Sequence, residues 1–93
     1  MTAISRTVHI GSSHGLHARP AKLFAQAAKE SGLAVTIAKD AGTAVNAASI
    51  LAVIALGVEK GDYVTLTAEG EGAEQTLDSL AALLTSDLDE EVG

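Results

Sequence analysis

Residues 33–46, Leu33-Ala34-Val35-Thr36-Ile37-Ala38-Lys39-Asp40-Ala41-Gly42-Thr43-Ala44-Val45-Asn46, read as two strands and the turn between them. Leu33, Val35 and Ile37 alternate with Ala34, Thr36 and Ala38, the period of a strand with one apolar face. Asp40-Ala41-Gly42 supplies turn residues, and Thr43 to Asn46 forms a short strand, so the spacing predicts a hairpin. Upstream, Ile4, Arg6, Val8 and Ile10 alternate with Ser5, Thr7 and His9, predicting a strand near 3–10. Gly11 to Gly15 is a loop, and a helix follows it. Pro20 fits the first turn of that helix, where its missing N–H costs nothing, and Gly32 fits its C′ position. Lys22, Gln26 and Lys29 make its polar stripe; Ala21, Phe24, Ala25 and Ala28 make its apolar one. Downstream, Ser49 can cap a short helix that ends at Gly57, and Gly61-Asp62 forms a turn. Tyr63 to Ala68 is a strand with Val64, Leu66 and Ala68 on one face. The last helix runs from about Ala73 to Ser86, with Ala73, Leu77, Leu80, Ala81, Leu84 and Leu88 as its apolar stripe.

The resulting order is β-α-β-β-α-β-α. Each strand has a single apolar face, so helices should cover one side of the sheet only. The fold class is α+β: an open-faced β-sandwich, a four-stranded mostly antiparallel sheet covered on one side by three helices. The 93 residues suit one domain, here 1–93, with residues 87–93 expected to be a solvated, frayed acidic tail. Hydrophobic residues make up 47% and charged ones 19%, which argues against disorder. There is no cysteine, which excludes disulfide scaffolds, zinc ribbons and thiol nucleophiles. With one Phe, one Tyr, no Trp and a net charge of −6, the chain lacks a platform for stacking bases and repels phosphate backbones, so no nucleic-acid partner is expected. The opening segment has no apolar signal region. The longest apolar stretch, Ile50 to Val58, is far short of the ~20 residues that span a membrane. The expectation is a soluble, cytoplasmic protein with no membrane insertion. Charge is uneven: residues 1–46 sum to +3 and residues 47–93 to −9. That imbalance is either a solvated acidic face or a small positive field that the N-terminal half offers to an anion or acidic partner.

Chemistry concentrates in Gly15-Leu16-His17-Ala18-Arg19-Pro20. His17 stands just before a helix. Ala18 and Arg19 carry free amides at the helix start, and Arg19 adds a fixed positive charge. A helix N-terminus favours anions through its orphan N–H groups and its dipole. An imidazole with an ordinary pKa of ~6.5 is largely neutral at pH 7 and holds a free lone pair. His17 is thus a candidate nucleophile toward phosphorus, with the Ala18 and Arg19 amides and the guanidinium holding the group received. The residues alone leave open a loop histidine with no chemistry.

The run Gly15-Leu16-His17-Ala18-Arg19-Pro20-Ala21 resembles the active-site signature of the HPr family, the histidine-containing phosphocarriers of the sugar phosphotransferase system. A second segment, Val45-Asn46-Ala47-Ala48-Ser49-Ile50-Leu51 followed by Leu56-Gly57-Val58, resembles the family's second signature, around a serine at a helix start. The resemblance covers nearly the whole chain, in length and in element order. It implies that enzyme I, charged from phosphoenolpyruvate, phosphorylates His17 on Nδ1, and that the group passes to sugar-specific enzyme IIA components. Arg19 would steady the phosphoryl group in both transfers. The protein would be a carrier with a covalent phosphohistidine, not a free-standing enzyme, and would need no cofactor. A paralogous carrier of a nitrogen-related or dihydroxyacetone-kinase phosphorelay would use the same histidine. A regulatory module acting through Ser49 is the remaining alternative.

Of the eight residues Ser49 to Leu56, seven are apolar, and a two-turn helix on a sheet can bury only one stripe. Ile50, Val53 and Ile54 suit the buried face, leaving Leu51, Ala52 and Ala55 at or near the surface. The helix is either fully covered core or a docking patch; the resemblance favours docking of enzyme I and enzyme IIA at Leu51, Ala52 and Ala55. Ser49 is an N-cap in one reading. In the other, which the resemblance implies, an HPr kinase/phosphorylase phosphorylates it and the product signals to a transcriptional regulator. Ala48 departs from relatives that carry Lys there, which counts against that reading. His9, His14 and His17 have metal-like spacing on paper, but no cysteine or carboxylate completes a set, and no metal site is expected. Nothing in the sequence calls for an oligomer, so a monomer is expected.

Overall fold

The computed structural model describes residues 3–11, 18–39, 42–59 and 61–85. Its elements follow the expected order: β1 (Ala3–His9), α1 (Ala18–Glu30), β2 (Val35–Lys39), β3 (Val45–Asn46), α2 (Ile50–Ala55), β4 (Tyr63–Glu69) and α3 (Ala73–Thr85). The strands lie in the order β1-β4-β2-β3. Every neighbouring pair is antiparallel, with β1 and β4 in register from Ala3 opposite Glu69 to His9 opposite Tyr63. The hairpin forms, though its second strand is only Val45–Asn46, paired with Ile37 and Thr36. Residues Asp40 and Ala41 of its turn lie outside the described residues, as do Leu88 and the acidic tail; Gly42 N–H donates to the Lys39 carbonyl at 2.8 Å and closes it.

Strand alternation sets the two faces. Val8, Val35, Ile37, Val64, Leu66 and Ala68 point into one buried cluster with Ala21, Phe24 and Ala28 of α1 and Leu77, Leu80 and Leu84 of α3. The other face is open. Across it Ser5 and Thr67 hydroxyls meet at 3.1 Å, and the His9 and Tyr63 rings lie 5.0 Å apart between centroids. Arg6 shares the inner side with Ile4 and Val8 but sits at the rim. Its Nε donates to Asp78 Oδ1 at 3.3 Å and its Nη2 is 4.0 Å from Glu74 Oε1, tying β1 to α3 through exposed pairs. Gly32, at φ +75°, takes the left-handed conformation that ends α1, a conformation strained for a residue with a Cβ.

The structure corrects the buried face of α2. Only Val53 is fully buried, while Ile50 and Ile54 are 41% and 38% exposed. α2 packs chiefly against α1 and the two-residue edge strand β3, so only Val53 of its apolar residues is fully covered. Its neighbours Ile50 and Ile54 therefore join Leu51, 80% exposed, on the surface.

One polar clamp holds the start of β4. Lys39 Nζ donates to the Gly57 carbonyl at 3.0 Å and lies 3.4 Å from Asp62 Oδ2. Glu59 N–H donates to the same carboxylate at 2.8 Å. That backbone donor, with Lys39, holds the Asp62 carboxyl below its usual 3.8, against a smaller opposing effect of desolvation. A carboxylate with a lowered pKa stabilises the fold above its ordinary value and loses that contribution as pH falls through the lowered one. Asp62→Asn should therefore be less stable than the parent near pH 6, and the gap should close as pH falls below about 4. Urea unfolding of both proteins from pH 6 to pH 2.5 reads this; a gap independent of pH would show that the charge on Asp62 does nothing for the fold.

Candidate functional site

Chain direction determines what gathers at one end of the molecule. β1 and β2 both run antiparallel to β4, so they run parallel to each other. α1 connects the finish of β1 to the start of β2 and must run back along the sheet, with its N-terminus at the end where β1 finishes. α3 follows β4 and returns to the same end, where Gly11 N–H donates to the Leu84 carbonyl at 2.9 Å. The approach there is tight: a Cβ on Gly11 would run into the Thr85 carbonyl, so only glycine fits as the chain leaves β1. Residues 12–17, with His14 and His17, lie outside the described residues.

α1 begins at Ala18, directly after His17, with Arg19 exposed and Pro20 buried in its first turn. No acidic side chain stands in that turn. The positive end of the helix is therefore offset by none of the side chains of that turn. Arg19, Lys22, Leu23 and Gln26 line a shallow groove, and Lys22, Gln26 and Lys29 continue into a second one shared with Ala48 and Ile50. Among the described residues Arg19, Lys22 and Lys29 form no ion pair, whereas Arg6 and Lys39 are held by carboxylates. Beside this basic stripe stands the apolar surface of α2. Leu51 is the most exposed large side chain there, Ala55 is exposed and Ala52 is half-buried. The structure thus brings Arg19, Lys22 and Lys29 together with Ile50, Leu51 and Ile54 on adjoining helices. The sequence reading missed Ile50 and Ile54 as surface residues, and the only available signal was the lack of any polar residue to orient the helix.

Ser49 is the N-cap of α2. Its φ of −100° and ψ of 113° are extended, and its Oγ accepts the Ala52 N–H at 3.3 Å. Asn46 supports the approach: its Oδ1 accepts the Ala48 N–H at 3.0 Å, and its carbonyl accepts the Ser49 N–H at 3.1 Å. Ser49→Ala should cost about 1 kcal/mol in urea unfolding. A cost below about 0.5 kcal/mol, the low end for such caps, would show that α2 does not depend on it.

By fold, the protein is an open-faced α+β sandwich that presents a helix N-terminus, an arginine with no ion pair among the described residues and an apolar patch at its surface. The family model for the phosphorylation site of the PTS HPr component matches residues 4–86. The chain is 49% identical over 85 residues to phosphocarrier protein HPr of Streptomyces coelicolor, covering 91% of each. It is 39% identical over 85 residues to the HPr-like protein Crh of Bacillus subtilis, covering 91% of this chain and 99% of that one. Among solved structures, the phosphocarrier protein HPr from Bacillus anthracis superposes with a TM-score of 0.85 at 38% identity, over 90% of this chain and 99% of that one. The chain belongs to the HPr family of phosphocarriers of the phosphotransferase system. No helix among the described residues is long and apolar enough to cross a membrane.

Proposed function

We propose that His17 accepts a phosphoryl group on Nδ1 from phosphorylated enzyme I and delivers it to enzyme IIA components. The observation that carries this is the start of α1: an exposed Arg19 in the turn immediately after His17, in a chain that matches the HPr family throughout the segment. In acceptance, the imidazole lone pair forms a P–N bond as the bond from phosphorus to the donor breaks. The ring's proton passes to solvent, and the guanidinium and the amides of Ala18 and Arg19 balance the charge on the phosphoryl oxygens. Delivery is the same step in reverse toward a second partner. A phosphoramidate suits a carrier because it gives the group up readily. The exposed side chains of Leu51 and Ala55, with half-buried Ala52, supply apolar contact for both partners beside the basic stripe. Intact mass after incubation with enzyme I, Mg²⁺ and phosphoenolpyruvate tests the reading. A single acid-labile gain of ~80 Da supports it, and no gain with several enzyme I homologues would remove it.

A second reading concerns Ser49, and the similarity to Crh, the catabolite repression HPr of Bacillus subtilis, favours it. Under this reading an HPr kinase/phosphorylase phosphorylates Ser49 Oγ. The phosphate takes the place of the cap at the positive end of α2 and sets charge beside Leu51, weakening apolar docking. Kinase and ATP would then add an acid-stable ~80 Da that Ser49→Ala lacks.

A further inference from the structure

α2 carries the exposed apolar surface, so whatever fixes the direction of α2 fixes where Leu51, Ile54 and Ala55 stand. Packing alone fixes it weakly. Val53 is its one fully buried side chain, and the helix touches chiefly α1 and the two-residue strand β3. One buried side chain is a pivot, so the two ends of the helix set its angle.

The N-terminal end is tied to the sheet through backbone. Ala47 N–H donates to the Val35 carbonyl at 2.9 Å, and the Asn46 carbonyl accepts the Ser49 N–H at 3.1 Å. The C-terminal end is tied through a side chain. Gly57 takes the left-handed conformation that ends a helix, at φ +68°, and its N–H donates to the Ile54 carbonyl at 3.1 Å. Its own carbonyl accepts Lys39 Nζ at 3.0 Å. Lys39 closes β2 opposite Val64 of β4, and its ammonium lies 3.4 Å from Asp62 Oδ2. Asp62 is itself fixed: its N–H donates to the Glu59 carbonyl at 3.0 Å, and its carboxylate accepts the Glu59 N–H at 2.8 Å. A line of contacts thus runs from Ile54 through Gly57 and Lys39 to the turn before β4. Buried Val58 holds the chain one residue further on, but the Gly57 carbonyl is left to Lys39. Among the described residues, no other side chain bonds this end of α2. The Lys39 and Asp62 side chains are 34% and 30% exposed, so salt screens their attraction less than it screens a surface pair.

We propose that Lys39 is a positioning residue for phosphoryl exchange: its clamp on Gly57 and Asp62 sets the angle at which α2 presents Leu51, Ile54 and Ala55 to a partner. The proposal rests on the reading above that partners dock on α2. Lys39 itself touches neither partner nor phosphoryl group; it acts through the helix.

The test is steady-state phosphorylation by enzyme I with this protein as the varied substrate, below the unfolding transition of every variant. Lys39→Met keeps the length of the stem and removes the charge and the donor. Its KM should rise about twofold to tenfold, the equivalent of one net hydrogen bond, with kcat unchanged. A merely structural role would lower the unfolding midpoint and leave KM where it was. In ¹⁵N spectra of the free variant the amides of Ile54, Ala55 and Val58 should shift, Val58 most, because its N–H belongs to the Gly57 peptide. Asp62→Asn loosens the same clamp and should move KM in the same direction by less, which keeps the test open if Lys39→Met does not fold. Leu51→Ala should raise KM by itself, and combined with Lys39→Met should raise it by less than the product of the two. A raised KM in Leu51→Ala with no change in the clamp variants would overturn the positioning role and leave docking on α2 standing. A fall in kcat at unchanged KM in the clamp variants would overturn it too. An unchanged KM in Leu51→Ala, or a parent that accepts no group, would instead remove the reading on which the proposal rests.

Discussion

His17→Ala should abolish acceptance of a phosphoryl group from enzyme I while moving unfolding stability by no more than about 0.5 kcal/mol, the usual range for a substitution outside the core. His9, the one histidine among the described residues, stands away from the candidate site. His9 is exposed on the open face of the sheet against the Tyr63 ring, across the sheet from α1. Arginine holds no lone pair to offer phosphorus. Arg19→Ala should leave acceptance possible but slow. Losing one charge-assisted interaction of about 1.5–3 kcal/mol in the transition state corresponds to roughly a tenfold to hundredfold lower rate. Because Arg19 is exposed and unpaired among the described residues, its removal should not disturb folding. The two variants separate chemistry from assistance. A time course of intact mass reads both, and any ~80 Da acid-labile gain in His17→Ala would overturn the assignment.

The strands and long helices were legible because their residues state a face. In β4, Val64, Leu66 and Ala68 are buried while Thr65 and Thr67 are not, so a period of two leaves no choice of side. In α1, Lys22, Gln26 and Lys29 mark the outside as firmly as Phe24 and Ala28 mark the inside. α2 carries no such mark. With apolar residues all round, the three-four spacing of Ile50, Val53 and Ile54 suggested a buried stripe, but α2 packs chiefly against α1 and the edge strand β3, and only Val53 is fully buried. Contacts between distant parts were illegible for a different reason. Nothing local to Arg6 points to Asp78, nothing in Lys39 points to Asp62, and the closeness of Gly11 to Thr85 depends on where α3 ends. At the candidate site, the chemistry proposed for His17 rests on the sequence motif, because residues 12–17 lie outside the described residues. The unpaired basic stripe of α1, by contrast, emerged only once the partners of Arg6 and Lys39 were known.

The largest effect on stability should come from Phe24→Ala. Phe24 is the only phenylalanine in the chain, has no exposed surface, and is the largest of the fully buried side chains. It sits in the cluster where α1 meets the sheet, so its removal takes away both the transfer energy of the ring and the contacts around it. Truncations of this kind cost about 3–5 kcal/mol, against a total of about 5–14 kcal/mol for a domain of this length. Other members of the cluster limit how far the cavity can close. Val35, Ile37 and Leu66 are pinned by hydrogen-bonded strands, and the α1 backbone is tied at its C-terminus by Gly32 N–H donating to the Lys29 carbonyl at 3.3 Å. The expected midpoint of thermal unfolding falls by at least about 12 °C, at roughly 4 °C or more per kcal/mol for a domain of this size. Phe24→Leu keeps most of the volume and should cost distinctly less. The consequence reaches the site, because α1 is the element that carries Arg19 and begins beside His17. Phe24→Ala should therefore lose phosphoryl acceptance as temperature rises through its lowered transition, while His17→Ala lacks it at every temperature. A loss below about 1 kcal/mol for Phe24→Ala would mean that α1 is held to the sheet mainly by its small residues, Ala21, Ala25 and Ala28, and not by the ring.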